Sequence, residues 1–314
     1  YGLFEIDSGE SKGRGKGKEE DRGKEWGKLV AGKTEEEVYN FLGLDYIPPE
    51  LREDRGEINA ASKHQLPDLV TEEEILGDMH VHTRYSDGQN RVSEMVDSAR
   101  RNGLKWIILC DHSQSLKVAG GLDREAIQKK KAEINQLQAK VDIKILCGTE
   151  VDILSDGTLA YPDEILDQFE LVVAAIHTGF KQSEQQITER IVNAMANPYV
   201  HSISHPSGRL INKRAAYAVN LDRVFAAARD TGTWLELNAH PERLDLDDVY
   251  CRKCKELGIR ITIGSDAHNI NDLAALKFGV MTARRGWLEK SDVINTLTYT
   301  GLQKALTQKR RNAK

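Results

Sequence analysis

Several familiar signatures are absent from this 314-residue chain, and each absence narrows the field. No apolar run reaches about 18 residues, so no segment is expected to span a membrane. There is no Gly-x-x-x-x-Gly-Lys phosphate loop and no Gly-x-Ser-x-Gly elbow, which removes two common routes to phosphate binding and acyl transfer. Neither sign of charge dominates: 44 Lys and Arg face 49 Asp and Glu, a formal net of −5. That balance argues against a broad nucleic-acid-coating surface and leaves room only for a local basic groove. Cysteine is scarce, at four residues. Cys110 and Cys147 fall in apolar strand-like runs and read as reduced core thiols of a cytosolic, cytoplasmic protein. Cys251-x-x-Cys254 is a single pair with no second pair to complete a zinc site, so it reads as structural. The chain starts at Tyr1 with neither Met nor a signal-like segment, and a piece of a longer protein is expected.

What is present suggests one large domain preceded by a smaller segment. Residues 1–70 stand apart. Tyr1 to Ile6 reads as a strand stub whose partners lie outside the chain. Gly9 to Gly27 is a Gly-Lys-Glu tract too polar to pack, whose Lys12, Arg14, Lys16 and Lys18 are more simply a solvated insertion than a DNA contact. Thr34-Glu35-Glu36-Glu37 has capping-box spacing, Pro48-Pro49 stops the helix behind it, and the stretch to Pro67 reads as a linker. From Leu76 to the C-terminus strands and helices alternate, the signature of a parallel α/β domain. Strands are predicted at 79–81, 106–110, 143–151, 171–176, 201–204, 234–237 and 259–263. Helices between them are predicted to open at Asn90, Asp123, Asn220 and Asp245, and to close at Gly103, Gly232 and Gly258. Seven such units in succession favour a distorted TIM-like (β/α)7 barrel over an open sheet.

The ionisable residues recur at one end of those strands. His80-Val81-His82 puts two imidazoles on one face at the end of the first strand, and Asp87 follows on the loop. His112 ends the second strand beside Asp111, Glu150 the third, His177 the fourth and His205 the fifth; Asp266 and His268 end the seventh. In a β/α barrel every strand C-terminus opens onto one mouth, so these side chains converge without being neighbours in sequence. A set of nitrogen and carboxylate ligands without thiolates suits Zn²⁺, Mn²⁺ or Fe²⁺, and there are too many ligands for one ion. Asp111 reads as a supporting partner rather than a ligand. His64, His201 and His240 do not fit the strand-end rule.

These runs carry a resemblance. Gly77-Asp78-Met79-His80-Val81-His82-Thr83 with Ser86-Asp87-Gly88, then Cys110-Asp111-His112-Ser113, Gly148-Thr149-Glu150-Val151-Asp152, Ala175-Ile176-His177, Ser204-His205-Pro206 and Gly264-Ser265-Asp266-Ala267-His268 resemble the polymerase and histidinol phosphatase (PHP) domain. The upstream segment from Glu36 to Glu53 resembles the end of the thumb and the linker of family X DNA polymerases that carry a C-terminal PHP domain, which gives an expected division at 1–70 and 71–314. The resemblance implies three divalent ions, Mn²⁺ and/or Zn²⁺ with Fe²⁺ as a further candidate. One ion is held by His80, His82, Glu150 and Asp266, a second by Glu150, His177 and His205, and a third by Asp87, His112 and His268. Asp87 stands where some members have histidine, which bears on metal preference.

Glu150, Asp266 and His268 are expected to carry catalysis, with Arg209 and Arg243 gripping substrate and Lys213 or Arg214 as lesser candidates. Divalent ions so placed lower the pKa of bound water and neutralise phosphate charge, which suits phosphoester hydrolysis. The implied activity is 3′→5′ exonuclease action on DNA within a repair-type polymerase, extending to 3′-phosphates and abasic sites. Its partners would be DNA and the polymerase domains of the same protein; the palm aspartates are not in this chain. Two alternatives compete with it: a histidinol-phosphatase-like small-molecule phosphatase, and a non-catalytic module that positions a polymerase on DNA.

Overall fold

The structure, a computed structural model, describes residues 2–5 and 28–312. The Gly-Lys-Glu tract and its four basic residues lie outside the described residues. The chain forms two compact units, Tyr1–Pro67 and Asp68–Lys314.

In the first unit β1 (Leu3–Glu5) pairs antiparallel with β2 (Lys28–Ala31), so the strand stub has its partner within the chain rather than outside it. Leu29-Val30-Ala31 directly after the polar tract supplies that partner. Thr34 caps α1 (Glu35–Phe41), its hydroxyl accepting from Glu37 N at 3.2 Å, and Glu37 reaches back to Lys33 N at 2.9 Å. The stretch expected to be a linker contains α2 (Glu57–Ser62) with Ala61 fully buried. Six residues are too few to show a helical period in sequence. Arg52 holds this unit together, pairing with Glu35 through both terminal nitrogens and donating through Nε to Ile47 O at 3.0 Å.

The second unit is a ring of seven parallel strands. In chain order it runs β3 (Gly77–Val81), α3 (Val92–Arg101), β4 (Trp106–Leu109), α4 (Arg124–Gln138), β5 (Lys144–Asp152), α5 (Asp163–Leu166), β6 (Leu171–Ala175), α6 (Glu184–Ala196), β7 (Ser202–Ile203), α7 (Leu221–Thr231), β8 (Trp234–Asn238), α8 (Asp248–Glu256), β9 (Ile261–Gly264), α9 (Leu276–Arg285) and α10 (Tyr299–Asn312). Strands neighbour one another in sequence order from β3 to β9. All seven predicted strands are present. Asp123 and Asn220 cap α4 and α7 as predicted. Two other predicted caps are displaced. Arg91 precedes α3, because Asn90 spends its amide oxygen on Ile270 N (3.1 Å). Asp247 rather than Asp245 caps α8, because Asp245 is buried under the loop after β7, accepting from Gly208 N at 2.9 Å. Helices α5, α9 and α10 went unread: the first is a single turn, and the other two follow the last strand.

Closure between β3 and β9 differs at the two ends of the ring. At the strand C-termini the backbones meet, His82 N donating to Ala267 O (2.9 Å) and Asp266 N to His80 O (3.0 Å). At the other end one side chain replaces the ladder. The Asn295 amide donates to Gly77 O (2.8 Å) and Ile263 O (2.7 Å) and accepts from Ile263 N (2.7 Å). Below that staple, α10 plugs the barrel: Leu302 and Leu306 pack with Met79, Trp106, Leu146 and Trp234 in an inner core, separate from the larger core between strands and helices. Lys309 is buried on this helix, with Nζ donating to Thr231 O at 3.0 Å.

A bulge in β3 sets the geometry of the mouth. Asp78 pairs with Ile107 and Val81 with Leu109, so β3 takes three steps where β4 takes two. The extra residue lets consecutive side chains turn inward, Met79 into the apolar plug and His80 into the mouth.

Candidate metal centre

Nine side chains meet where the strands end. Glu150, almost fully buried at the end of β5, is the hub. Its Oε1 lies 3.0 Å from His205 Nε2 and 3.4 Å from His177 Nε2. Its Oε2 lies 3.4 Å from His80 Nε2 and 3.0 Å from His112 Nδ1. Asp266 Oδ1 is 3.1 Å from His82 Nε2. Asp87 Oδ2 faces His112 Nε2 at 3.5 Å and His268 Nε2 at 3.4 Å on the outer rim. Three groups within this set have ligand atoms close enough to share an ion: His82-Asp87-His112-His268, His80-His82-Glu150 and His112-Glu150-His177.

The backbone is bent to bring them there. His205 and Asp266 adopt left-handed φ values of 29° and 54°, a conformation costly for side chains other than Gly, Asn or Asp. Gly264 is required next to them, since a Cβ there would lie 2.5 Å from His80 Cβ and 2.6 Å from Glu236 Oε1.

Two carboxylates that sequence reasoning missed fix the imidazoles. Glu236 Oε1 accepts from His80 Nδ1 at 2.7 Å, while its Oε2 accepts from Ser204 Oγ (2.6 Å) and His205 N (2.7 Å). Asp152 Oδ1 accepts from His177 Nδ1 at 2.7 Å. Each holds its ring so that Nε2 faces the mouth, the arrangement of supporting carboxylates in metal sites. The signal was available in Leu235-Glu236-Leu237, an acid in the middle of an apolar strand. Asp111 does the supporting work read for it. It accepts from Thr83 N (2.7 Å) and Ser86 Oγ (2.9 Å) and pairs with buried Lys130 at 2.8 Å, which anchors the loop carrying Asp87.

The electrostatics keep ligands ionised. Burial opposes the charge on Glu150, but His177, His80 and His112 hold its carboxyl well below the usual range. Asp266 is likewise held low, His80, His82 and Arg243 outweighing its burial. Burial and the cations around it push His82 down to about 4, so it is a neutral imidazole.

Of the predicted cations, Arg243 lines the mouth with Nε 3.2 Å from Asp266 Oδ2, and its buried Nη1 has no hydrogen-bond partner among the described residues. Arg209 is corrected. Its Nε donates to Arg243 O (2.8 Å) and its Nη2 to Leu244 O, so it braces the Arg243 loop instead of facing substrate. Arg214, the lesser candidate, lines the mouth in its place. Lys213 pairs with Glu242 at 2.5 Å on the surface. His64 and His240 lie outside the cluster, and His201 is packed at the far end of its strand, Nδ1 accepting from Val172 N (3.1 Å).

The residues fit divalent ions. Among the described residues, His82 Nδ1, His205 Nδ1 and Glu150 Oε1 are buried without a hydrogen bond, and two imidazole nitrogens, His80 Nε2 and His82 Nε2, stand 3.1 Å apart. Buried polar atoms left unpaired cost free energy, about 1–3 kcal/mol each, which a shared cation would recover. The donors are imidazole nitrogens and carboxylate oxygens, the set that binds Zn²⁺, Mn²⁺ or Fe²⁺. A parallel β/α barrel with such a cluster at its strand C-termini defines a metal-dependent hydrolase.

Comparison with known proteins agrees. Residues 78–240 match the family "PHP domain", and residues 1–53 match "DNA polymerase beta thumb". The chain is 42% identical over 272 residues to the DNA polymerase/3′-5′ exonuclease PolX of Bacillus subtilis, covering 86% of this chain and 47% of that protein. It is 30% identical over 200 residues to a protein named "Probable phosphatase" from Acetivibrio thermocellus, covering 61% of this chain and 78% of that one. The crystal structure of a histidinol phosphate phosphatase from Lactococcus lactis, complexed with Zn, L-histidinol and phosphate, superposes with a TM-score of 0.53 at 18% identity, over 68% of this chain and 94% of that chain; it shows the shared fold. The chain belongs to the PHP domain family, metal-dependent phosphoesterases, with a polymerase-thumb segment ahead of the barrel. It spans about half the length of its PolX relative.

Proposed function

We propose that the chain is the nuclease part of a family X DNA polymerase, a 3′→5′ exonuclease hydrolysing DNA phosphodiesters. The observation that carries this reading is a cluster of candidate metal ligands around Glu150 in a chain whose N-terminal segment matches a polymerase thumb. In this reading residues 1–70 supply the thumb end and its connection, and residues 71–314 the hydrolase. The polymerase domains of the full-length protein are its partners, in the cytoplasm. Three ions, Mn²⁺ or Zn²⁺, would be held as the motifs imply: by His80, His82, Glu150 and Asp266; by Glu150, His177 and His205; and by Asp87, His112 and His268.

When bound, such ions supply Lewis acidity and a water-derived nucleophile at neutral pH. The protein's own groups do the rest. Glu150 keeps its two oxygens turned to opposite halves of the cluster. His268 donates from Nδ1 to Asp266 O at 2.8 Å, which leaves Nε2 to serve at the rim. Arg243 Nη1, buried and unpaired, is placed to donate to a phosphate oxygen at the mouth. We assign hydrolysis to Glu150, Asp266 and His268, and the phosphate contact to Arg243.

The test is cleavage of 5′-labelled single-stranded DNA by Mn²⁺-loaded protein beside an Asp266→Asn control. Asn tolerates the left-handed backbone at this position, so the control isolates charge from fold. A ladder shortening from the 3′ end, lost in the control, is the expected result. Turnover of histidinol phosphate with no DNA cleavage would overturn the reading in favour of a small-molecule phosphatase.

A further inference from the structure

The mouth has two unlike halves. It is an open cavity of about 350 Å³, at the small end for ligand pockets and of a size that suits one nucleotide. One half is the ligand cluster with Arg243. The other is formed by Leu116, Val118, Ala119, Ile176, Phe180 and Leu210. A phosphate group has no use for that apolar wall. Val118 is 93% exposed at the tip of a single 3₁₀ turn, a bare branched side chain beside a charged site.

Arg214 also lines the cavity, but it is not a free anion-seeking arm. Its Nε and Nη2 are both held by Gly208 O, at 3.0 and 2.7 Å, and its guanidinium carbon sits 4.2 Å from the centre of the Phe180 ring. Phe180 in turn stacks on Tyr217, with centroids 6.2 Å apart and planes within 12°. Gly208 makes this pile possible: its φ is +63°, and a Cβ there would lie 2.1 Å from Tyr217 Cε1. Three planar groups are thus locked together at the edge of the metal cluster.

We infer that this half of the mouth is a subsite for the unpaired 3′-terminal nucleobase, taken by stacking and apolar contact. The inference rests on the exonuclease reading and adds what that reading leaves open, namely how the end of the strand is recognised. Base–aromatic and base–guanidinium stacking accept any base, because every base has a π face. The apolar wall offers no side-chain donor or acceptor to read a Watson–Crick edge, so the subsite registers the presence of a base and not its identity. A paired end must fray by one base before it fits. An end that lacks a base loses the contact.

The experiment compares two oligonucleotides that differ only at the 3′ terminus, one ending in thymidine and one in an abasic tetrahydrofuran unit. Removal of the terminal unit is followed as kcat and KM with the Mn²⁺-loaded full chain. Binding of 5′-fluorescein versions is followed by anisotropy with Asp266→Asn, where nothing is cleaved. The base-bearing end is expected to be favoured roughly tenfold, chiefly in KM and in binding, and the four bases to fall within a few-fold of one another. Phe180→Ala and Val118→Asp are each expected to bring the base-to-abasic ratio towards unity. Should the Phe180 variant fail to fold, the exposed Val118 position still decides the matter. A ratio near unity for the wild type, or a ratio untouched in Val118→Asp, overturns the subsite while the nuclease reading stands. Metal-loaded protein that cleaves neither oligonucleotide overturns the nuclease reading itself, and the subsite with it.

Discussion

The two ends of the barrel are built from the same seven strands and obey opposite rules. At the floor, the inner core is apolar, with Met79, Trp106, Leu146 and Trp234 around Leu302 and Leu306, and the polar groups that close it are paired. Trp106 donates its indole N–H to Leu297 O at 2.9 Å, and the Asn295 amide completes the ladder between β3 and β9. At the mouth, seven imidazole or carboxylate ligands are buried or nearly so, several ligand atoms lack hydrogen bonds, and two residues sit in left-handed backbone. The floor is where the sequence agrees with itself at every level; the mouth departs from those rules and is held in place by the rest. One strand shows the contrast within a single peptide unit, since Met79 belongs to the plug and His80 to the mouth.

That contrast can be broken from either side. The largest expected effect is at the floor. Asn295→Ala leaves Gly77 O and both polar groups of Ile263 without their partner, and should lower unfolding free energy by about 3 kcal/mol in a urea titration. Metal affinity of the molecules that remain folded should stay close to wild type, and a large loss of affinity with little loss of stability would show that the two ends are not separable. At the mouth the order reverses. Glu236→Gln weakens the hold on His80 and should reduce metal affinity roughly 10–100-fold by competition titration, with the metal-free melting temperature little changed. The smallest effect concerns Lys309, whose ammonium is pushed down by burial to about 8 from an ordinary 10.5. Between those values the unfolded chain holds the proton that the folded chain has released, so this residue makes stability rise as pH climbs from 8 towards 10.5. Lys309→Met should flatten that rise in thermal melts, and an identical slope in both proteins would show that the ammonium is solvated.

How far the sequence could be read follows the same division. The strands and the strand-end ligands were legible because each ligand closes an apolar run, and a parallel barrel has only one mouth for them to share. Supporting groups were harder. Glu236 and Asp152 lie on strands, where an acid carries no signal of its partner until the ring brings His80 and His177 beside them. Asp245 and Asp247 were indistinguishable as caps, because only the buried loop after β7 decides which acid it needs. Arg209 and Arg214 stand five positions apart on one loop, and only Arg214 reaches the mouth, because Arg209 is turned onto backbone carbonyls of the next loop while Arg214 is held by Gly208 O of its own loop and lies over Phe180. The bulge in β3 had no local signature at all. It depends on pairing with β4, a relation between segments that no single run of residues contains.

The seam between β3 and β9 also has a topological meaning. His82 and Asp266 face each other across it, 184 residues apart along the chain. An ion gripped by both would act as a removable cross-link, closing about three-quarters of the domain into one loop and denying the unfolded chain the freedom of that span. The first and last strands of the ring would then be fastened by the cofactor as well as by hydrogen bonds. Stripping the ions would loosen the barrel along one predetermined line, where exchange of the His82 and Asp266 amide protons would quicken first.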